Sequence, residues 1–252
     1  HRLLIDFTYP LMSTTAIYLT LIFSSFVREQ AQRRQIRSAF AMTEHDSASS
    51  DAMNIATRIE LDESSDELVV TGRKWWSSGA MAPECKVAVV MGLSSPHGEK
   101  HRRHSMVLVP MDTPGVHVQR STHVLGYPDG PHGGHGEILY DAVRVPRDHL
   151  LGEWNGGFAI GQARLGPGRI HHCMRLIGMA ERAYDLMCAR VQNRVAFGKP
   201  LAAQGVVQDW IAQSRIRIEQ ARLLVLKTAW LMDTVGNRGA AVEISAIKVV
   251  RH

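Results

Sequence analysis

Glu137-Ile-Leu-Tyr-Asp-Ala-Val-Arg-Val-Pro146, followed by Leu150-Leu-Gly-Glu153 and Gly156-Gly-Phe158, is the stretch on which the fold turns. Before it the chain is written in short β-rich runs, and after it apolar residues step by three and four. Upstream, Ile55–Leu61, Leu68–Trp76, Lys86–Gly92, Met106–Pro110 and Gly115–Gln119 are separated by clusters of Gly, Pro, Asp and Ser, and Glu137–Val145 closes the series. Strands at that spacing, with turn chemistry between them, predict a barrel or sandwich. Downstream, Ile177, Ala180, Tyr184, Met187 and Val191 share a helical face, while Ile211, Ile218, Val225 and Met232 recur every seven residues. Small Ser214, Ala221 and Thr228 between them let helices approach closely. Gly198–Pro200 and Gly236–Gly239 are expected to break the helices. The expectation is an α+β multidomain chain, with a β-barrel over residues 38–152 and a helical bundle over residues 153–252.

Composition narrows the function classes. The chain has 252 residues, 45% hydrophobic and 21% charged, which excludes disordered, collagen-like and coiled-coil readings. Cys85, Cys173 and Cys188 form no CxxC pair, which argues against a disulfide framework or a cysteine zinc site and for a reducing compartment. Residues 1–37 carry five arginines (Arg2, Arg28, Arg33, Arg34 and Arg37) against Asp6 and Glu29, more than half of the net charge of +5. The rest shows no basic, aromatic-interleaved face, so nucleic acid is not an expected partner. Phe7–Val27 is free of charge and is followed by Arg28, Arg33 and Arg34, which fits a membrane anchor in length. Pro10 and the hydroxyl residues within it favour instead a buried helix or the remnant of a helical domain. The polar insert Ser94–His104 reads as an exposed hairpin loop, with His97, His101 and His104 in solvent.

Two stretches carry chemistry. Ala39-Phe-Ala-Met-Thr-Glu-His-Asp-Ser-Ala-Ser-Ser-Asp51 is a hydroxyl-rich turn able to bind an anion or a planar polar edge. Thr71-Gly-Arg-Lys-Trp-Trp-Ser-Ser-Gly79 is a strand ending in two aromatics and two hydroxyls, suited to lie along an aromatic cofactor. Taken alone, each reads as readily as a turn and a core strand.

Together, and with the strand and helix start of residues 137–158, they resemble the acyl-CoA dehydrogenase family of flavoproteins. Gly161-Gln-Ala-Arg-Leu-Gly-Pro-Gly-Arg-Ile-His-His-Cys-Met-Arg-Leu-Ile-Gly178 and Arg194-Val-Ala-Phe-Gly-Lys199 continue the match, the first resembling the branch of family members 10 and 11. The resemblance covers roughly residues 38–250. It implies a β-barrel middle domain on a C-terminal four-helix bundle with FAD between them, and an N-terminal helical domain that is largely missing here, where residues 1–37 stand instead. It implies that Met42 and Thr43 meet the pyrimidine edge of the flavin, that Trp76 lies beside the isoalloxazine, and that the Ser78 hydroxyl faces flavin N5. Arg194 and Phe197 match residues reaching the FAD of a neighbouring subunit, and Gln208 is a candidate for its adenosine portion. Ser49 or Ser50 should sit near the acyl-CoA, an extra residue in the turn leaving both as candidates, and His45 stands where relatives usually carry proline. Arg169 matches an arginine near the catalytic end of the substrate channel.

The reaction so implied is FAD-dependent α,β-dehydrogenation of acyl-CoA thioesters, long-chain ones above all, by a homodimer or homotetramer passing electrons to an electron-transfer flavoprotein. An acyl-CoA oxidase and a non-catalytic protein that binds FAD or acyl-CoA are the alternatives. The family's glutamate base is expected beyond residue 252, and its other known position falls on Gly168. Glu181 and Glu219 fit neither position, so the chain as written is expected to have little activity. Metal sites are not expected: adjacent His171 and His172 point about 100° apart on a helix, and His132 and His135 read as loop residues at the barrel edge. The compartment would be cytoplasmic in a bacterium, mitochondrial or peroxisomal in a eukaryote.

Overall fold

The computed structural model describes residues 36–130 and 133–250. The Phe7–Val27 stretch and His132 lie outside the described residues. Seven strands come first: β1 (Arg37–Ala41), β2 (Arg58–Asp62), β3 (Glu67–Ser78), β4 (Cys85–Leu93), β5 (His104–Pro110), β6 (Val116–Thr122) and β7 (His135–Pro146). They form one sheet in the order β1-β4-β2-β3-β7-β6, with β5 paired to β4. Its neighbours run antiparallel, except that β1 lies parallel to β4 and a single parallel pairing joins β2 to β4. This is a curled, half-barrel sheet, in line with the barrel expected from the strand spacing.

The sheet has a core on each face. Ala88 and Val90 of β4 and Val107 and Val109 of β5 pack with Val70, Ile138, Tyr140 and Val143. Val89, Met91, Met106 and Leu108 point the other way, onto Ala52, Ile55 and Leu151. Burial on both faces is why β4 and β5 read as unbroken apolar runs without alternation. At the far edge β6 is largely exposed and polar. Gly72 allows β3 to cross close to the chain at Thr57, since a Cβ there would stand 2.8 Å from the Thr57 Cα.

Two expectations are corrected. Ala39–Asp51 reads as a turn, yet its first residues belong to β1, because pairing with β4 uses backbone groups that the local pattern does not register. His104 is not solvated: it opens β5 fully buried, 3.1 Å from the Ile55 carbonyl, and burial lowers its pKa. His97 and His101 are exposed, the latter lying against Phe158 with ring centroids 4.8 Å apart.

The described residues divide into two compact units, one running to Gln162 and the other from Ala163. Helix α1 (Gly157–Asn193, 37 residues) begins in the first and continues into the second, running through Pro167. A short hairpin of β8 (Val195–Ala196) and β9 (Lys199–Pro200) comes next, then α2 (Gly205–Gly239) and α3 (Ala241–Val250). Gly198 sits in the hairpin turn, and Gly236, with non-helical backbone at φ 75°, interrupts α2 just before its end at Gly239, as the expected break at Gly236–Gly239 has it. Cys173, Ile177, Ile218, Val225 and Ile247 form the core of this unit. Among the described residues no helix is long and apolar enough to cross a membrane.

Candidate functional site

The two chemistry-bearing stretches, about thirty residues apart, are bound together by backbone and by charge. The Trp75 amide donates to the Thr43 carbonyl at 3.0 Å. One position earlier, the Lys74 ammonium donates to the Met42 carbonyl at 2.9 Å and to Glu44 Oε1 at 2.8 Å. Glu44 also accepts from the amides of Ala56 and Thr57, each at 2.8 Å, and from the Ser47 hydroxyl at 3.1 Å. Lys74 is fully buried and Glu44 6% exposed. Burial by itself would raise the Glu44 carboxyl, but the Lys74 charge and the surrounding donors outweigh it and bring it down to about 2. Burial lowers Lys74 to about 8 against the pull of Glu44. A buried pair with this many hydrogen bonds fixes one geometry, and here it pins the first motif to β3.

Beyond Lys74 the strand bulges. The β3–β7 register shifts between Lys74 and Ser77, so the inward positions pass from Leu68, Val70 and Lys74 to Ser77. Trp76 takes φ 52° within the bulge, a left-handed conformation that costs a bulky residue about 1–2 kcal/mol. The change of parity leaves Ser78 exposed at the strand end and Trp76 half-buried beside it. Four rings run in sequence across this patch: His45 to Trp75 at 4.6 Å, Trp75 to Trp76 at 6.0 Å, and Trp76 to His135 at 5.7 Å. His135 is the correction to the loop reading of that segment. It opens β7, pairs with Ser78 in register, and its Nδ1 stands 2.9 Å from the Ser78 hydroxyl.

The remaining residues of the first motif separate. The Ser49 hydroxyl is half-buried inside its own turn, accepting from the Glu44 amide at 2.9 Å and donating to the Ser47 carbonyl at 3.1 Å. Ser50 is exposed. Met42 and Thr43 are half-buried, Met42 packing with the Val89 and Met91 core.

Arg169, Arg194, Phe197 and Gln208 belong to the helical unit. Arg169 lies in the early part of α1, about 36 Å along the axis from the helix end at Asn193 at 1.5 Å per residue, and Arg194 lies just past that end. They do not form one cluster. Phe197 is 97% exposed at φ 55° and with Gly198 makes the two-residue turn of the β8–β9 hairpin. The hairpin closes on Arg194, whose carbonyl accepts from the Leu201 amide at 2.8 Å, and Gln208 holds the Ala202 carbonyl at 2.9 Å. His171 and His172 are exposed, His172 against Arg175. Among the described residues no group of three His, Cys, Asp or Glu is placed to hold a metal.

Sequence reasoning missed the Glu44–Lys74 pair and the His135–Ser78 contact. A lysine at the inward parity of β3, after Leu68 and Val70, was the available sign of the first. The second had none, because it joins residues 57 positions apart.

A bulged strand presenting an indole and a hydroxyl, beside a turn of hydroxyl and thioether side chains, is a surface for a planar, hydrogen-bonding heteroaromatic. Residues 39–143 match the acyl-CoA dehydrogenase middle domain and residues 155–252 the acyl-CoA dehydrogenase C-terminal domain. The chain belongs to the acyl-CoA dehydrogenase family. It is 59% identical over 216 residues to the probable acyl-CoA dehydrogenase FadE2 of Mycobacterium tuberculosis, covering 86% of this chain and 52% of the relative. It is 55% identical over 215 residues to acyl-CoA dehydrogenase family member 11 of Homo sapiens, covering 85% and 27%. A solved structure from Mycobacterium abscessus, assigned to the acyl-CoA dehydrogenases, matches with a TM-score of 0.81 at 52% identity, over 89% of this chain and 54% of that one. The chain thus spans about half, or less, of the length of these relatives.

Proposed function

We propose that this chain forms the flavin-holding part of an acyl-CoA dehydrogenase, with FAD as the flavin and long-chain acyl-CoA thioesters as the substrates. The carrying observation is the tie of Met42–Glu44 to Lys74–Trp75, which gathers a thioether, hydroxyls and an indole into one patch. These residues fit a flavin: Trp76 offers a flat apolar face, and Ser78 and Thr43 offer hydrogen bonds to polar ring edges. When bound, FAD supplies the hydride acceptor. Ser78 would then present its hydroxyl to the flavin, and Met42 and Thr43 would hold its pyrimidine edge. The left-handed backbone at both Trp76 and Phe197 supports roles for these aromatics, since strain persists where the surroundings enforce it. An exposed Phe197 beside Arg194 suits contact with the FAD of a second subunit, the guanidinium meeting its pyrophosphate with a rigid fork of donors. Gln208 is assigned to the adenosine portion, and Ser49, Ser50 and Arg169 to acyl-CoA. Electrons are proposed to leave through an electron-transfer flavoprotein.

No carboxylate in these networks is offered as the base. Glu44 and Glu137 are buried in ion pairs, and Glu181 and Glu219 are held by Arg215 and Arg222. The second reading is a protein that binds FAD and acyl-CoA without turning them over. FAD titrated into the purified chain, followed by quenching of flavin fluorescence, tests the first reading. Trp76→Ala is expected to weaken binding about tenfold, the loss of one aromatic contact of about 1 kcal/mol or slightly more. Unchanged affinity would remove Trp76 from the site. Rapid, stoichiometric flavin bleaching by long-chain acyl-CoA would exclude the second reading.

A further inference from the structure

His135 stands between Ser78 and an acid. Its Nδ1 is 2.9 Å from the Ser78 hydroxyl, and its Nε2 is 3.3 Å from Asp129 Oδ2. The arrangement is held by backbone on every side. Gly79 donates to Gly134 at 2.8 Å, Met81 to Gly133 at 2.9 Å, and the Gly134 amide to the Asp129 carbonyl at 3.0 Å. From β6 the Thr122 hydroxyl donates to the His135 carbonyl at 2.8 Å. The other charged groups on the flanking strands, Arg73 of β3, Arg120 of β6 and Glu137 of β7, are paired with one another. His45 lies beyond the two tryptophan rings.

The neighbouring groups then point to one arrangement of protons. A carboxylate only accepts, so Asp129 beside Nε2 favours the ring proton there. A neutral ring with its proton there has a bare Nδ1, which accepts from the Ser78 hydroxyl. That hydroxyl has one proton and cannot also give it to a flavin. When the ring takes up one proton from solvent, Nδ1–H donates to Ser78 Oγ instead, and the hydroxyl proton turns outward. No other bond forms or breaks, and no electrons move.

We propose that His135, oriented by Asp129, is a positioning residue that decides whether Ser78 donates a hydrogen bond toward the flavin: withheld on the neutral ring, released by the imidazolium. This rests on the proposed flavin site and adds to it a proton-controlled donor.

The test uses the full chain loaded with FAD. Nitrogen-15 NMR of the imidazoles at a pH where His135 is neutral is expected to show its proton on Nε2, and an Nδ1–H tautomer would overturn the proposal. The flavin midpoint potential, followed against pH, is expected to show an inflection where His135 titrates, worth about a tenfold change in the oxidised-to-reduced ratio, or about 30 mV for a two-electron couple. His135→Phe and Ser78→Ala should each remove it, and Asp129→Asn should move it. Circular dichroism confirms that each variant is folded. An inflection that survives Ser78→Ala overturns this assignment while leaving the flavin site standing. A wild-type chain that takes up no flavin overturns both.

Discussion

Two charge networks of similar composition sit in different parts of the molecule. In the sheet unit, Glu44 and Lys74 are sealed from water, and every oxygen of the carboxylate has a donor. In the helical unit, Glu181 receives Arg215 at 2.9 Å and also Arg222, with Glu219 completing the set and the Arg215 guanidinium 4.3 Å above the Tyr184 ring. Those side chains are about a quarter to a half exposed. The contrast isolates what burial does to a salt bridge. Water already solvates the helical set, so forming it gains little; the buried pair has only itself, so losing one member strands the other.

The largest break in the comparison is expected from Lys74→Ala, which leaves the Glu44 carboxylate buried without its cation. A loss of about 3–5 kcal/mol is predicted for the sheet unit, read by urea denaturation, together with loss of FAD binding as the first motif comes away from β3. If Lys74→Met combined with Glu44→Leu recovers the stability but not the FAD binding, the pair serves the site more than the fold.

Acid should act next. Glu44 is held at about 2, below its ordinary value of 4.5. A depressed carboxyl contributes stability above its unfolded value and loses it as pH falls toward the folded one. The sheet unit should therefore weaken between about pH 4.5 and 2, by up to about 3 kcal/mol, and this acid limb should be missing in Glu44→Gln. An unchanged limb would assign it to other carboxylates.

The smallest effect is expected in the helical unit. Glu181 also has its pKa lowered, chiefly by the hydrogen bond from Arg215. Because the partners are partly solvated, Arg215→Gln should cost far less than Lys74→Ala in thermal or urea unfolding, and the cost should shrink further in high salt. A cost as large as that of Lys74→Ala would mean that exposure is not what separates the two networks.

Much of the fold is legible in the sequence because it is written in local patterns. The strands separated by turn residues are β2 to β7, and the helical period after Gly156 is α1 and α2. β1 is illegible because its five residues form a strand only against β4, and His104 reads as solvated because a polar neighbourhood in sequence says nothing of the core it enters. The site divides in the same way. The residue types are visible in two stretches, but the bulge that turns Trp76 and Ser78 to their final faces is not.

The amino-acid sequence alone thus settles the classes of element, their order and the motifs that carry the family resemblance, since periodicity and residue chemistry act within a few neighbours. Three features wait on the folded sheet: Glu44 and Lys74 meet in the core, parity changes at Trp75–Trp76, and His135 comes to stand between Ser78 and Asp129. Each of these depends on strands far apart in the sequence, and only their pairing brings contacts of a few ångströms within reach.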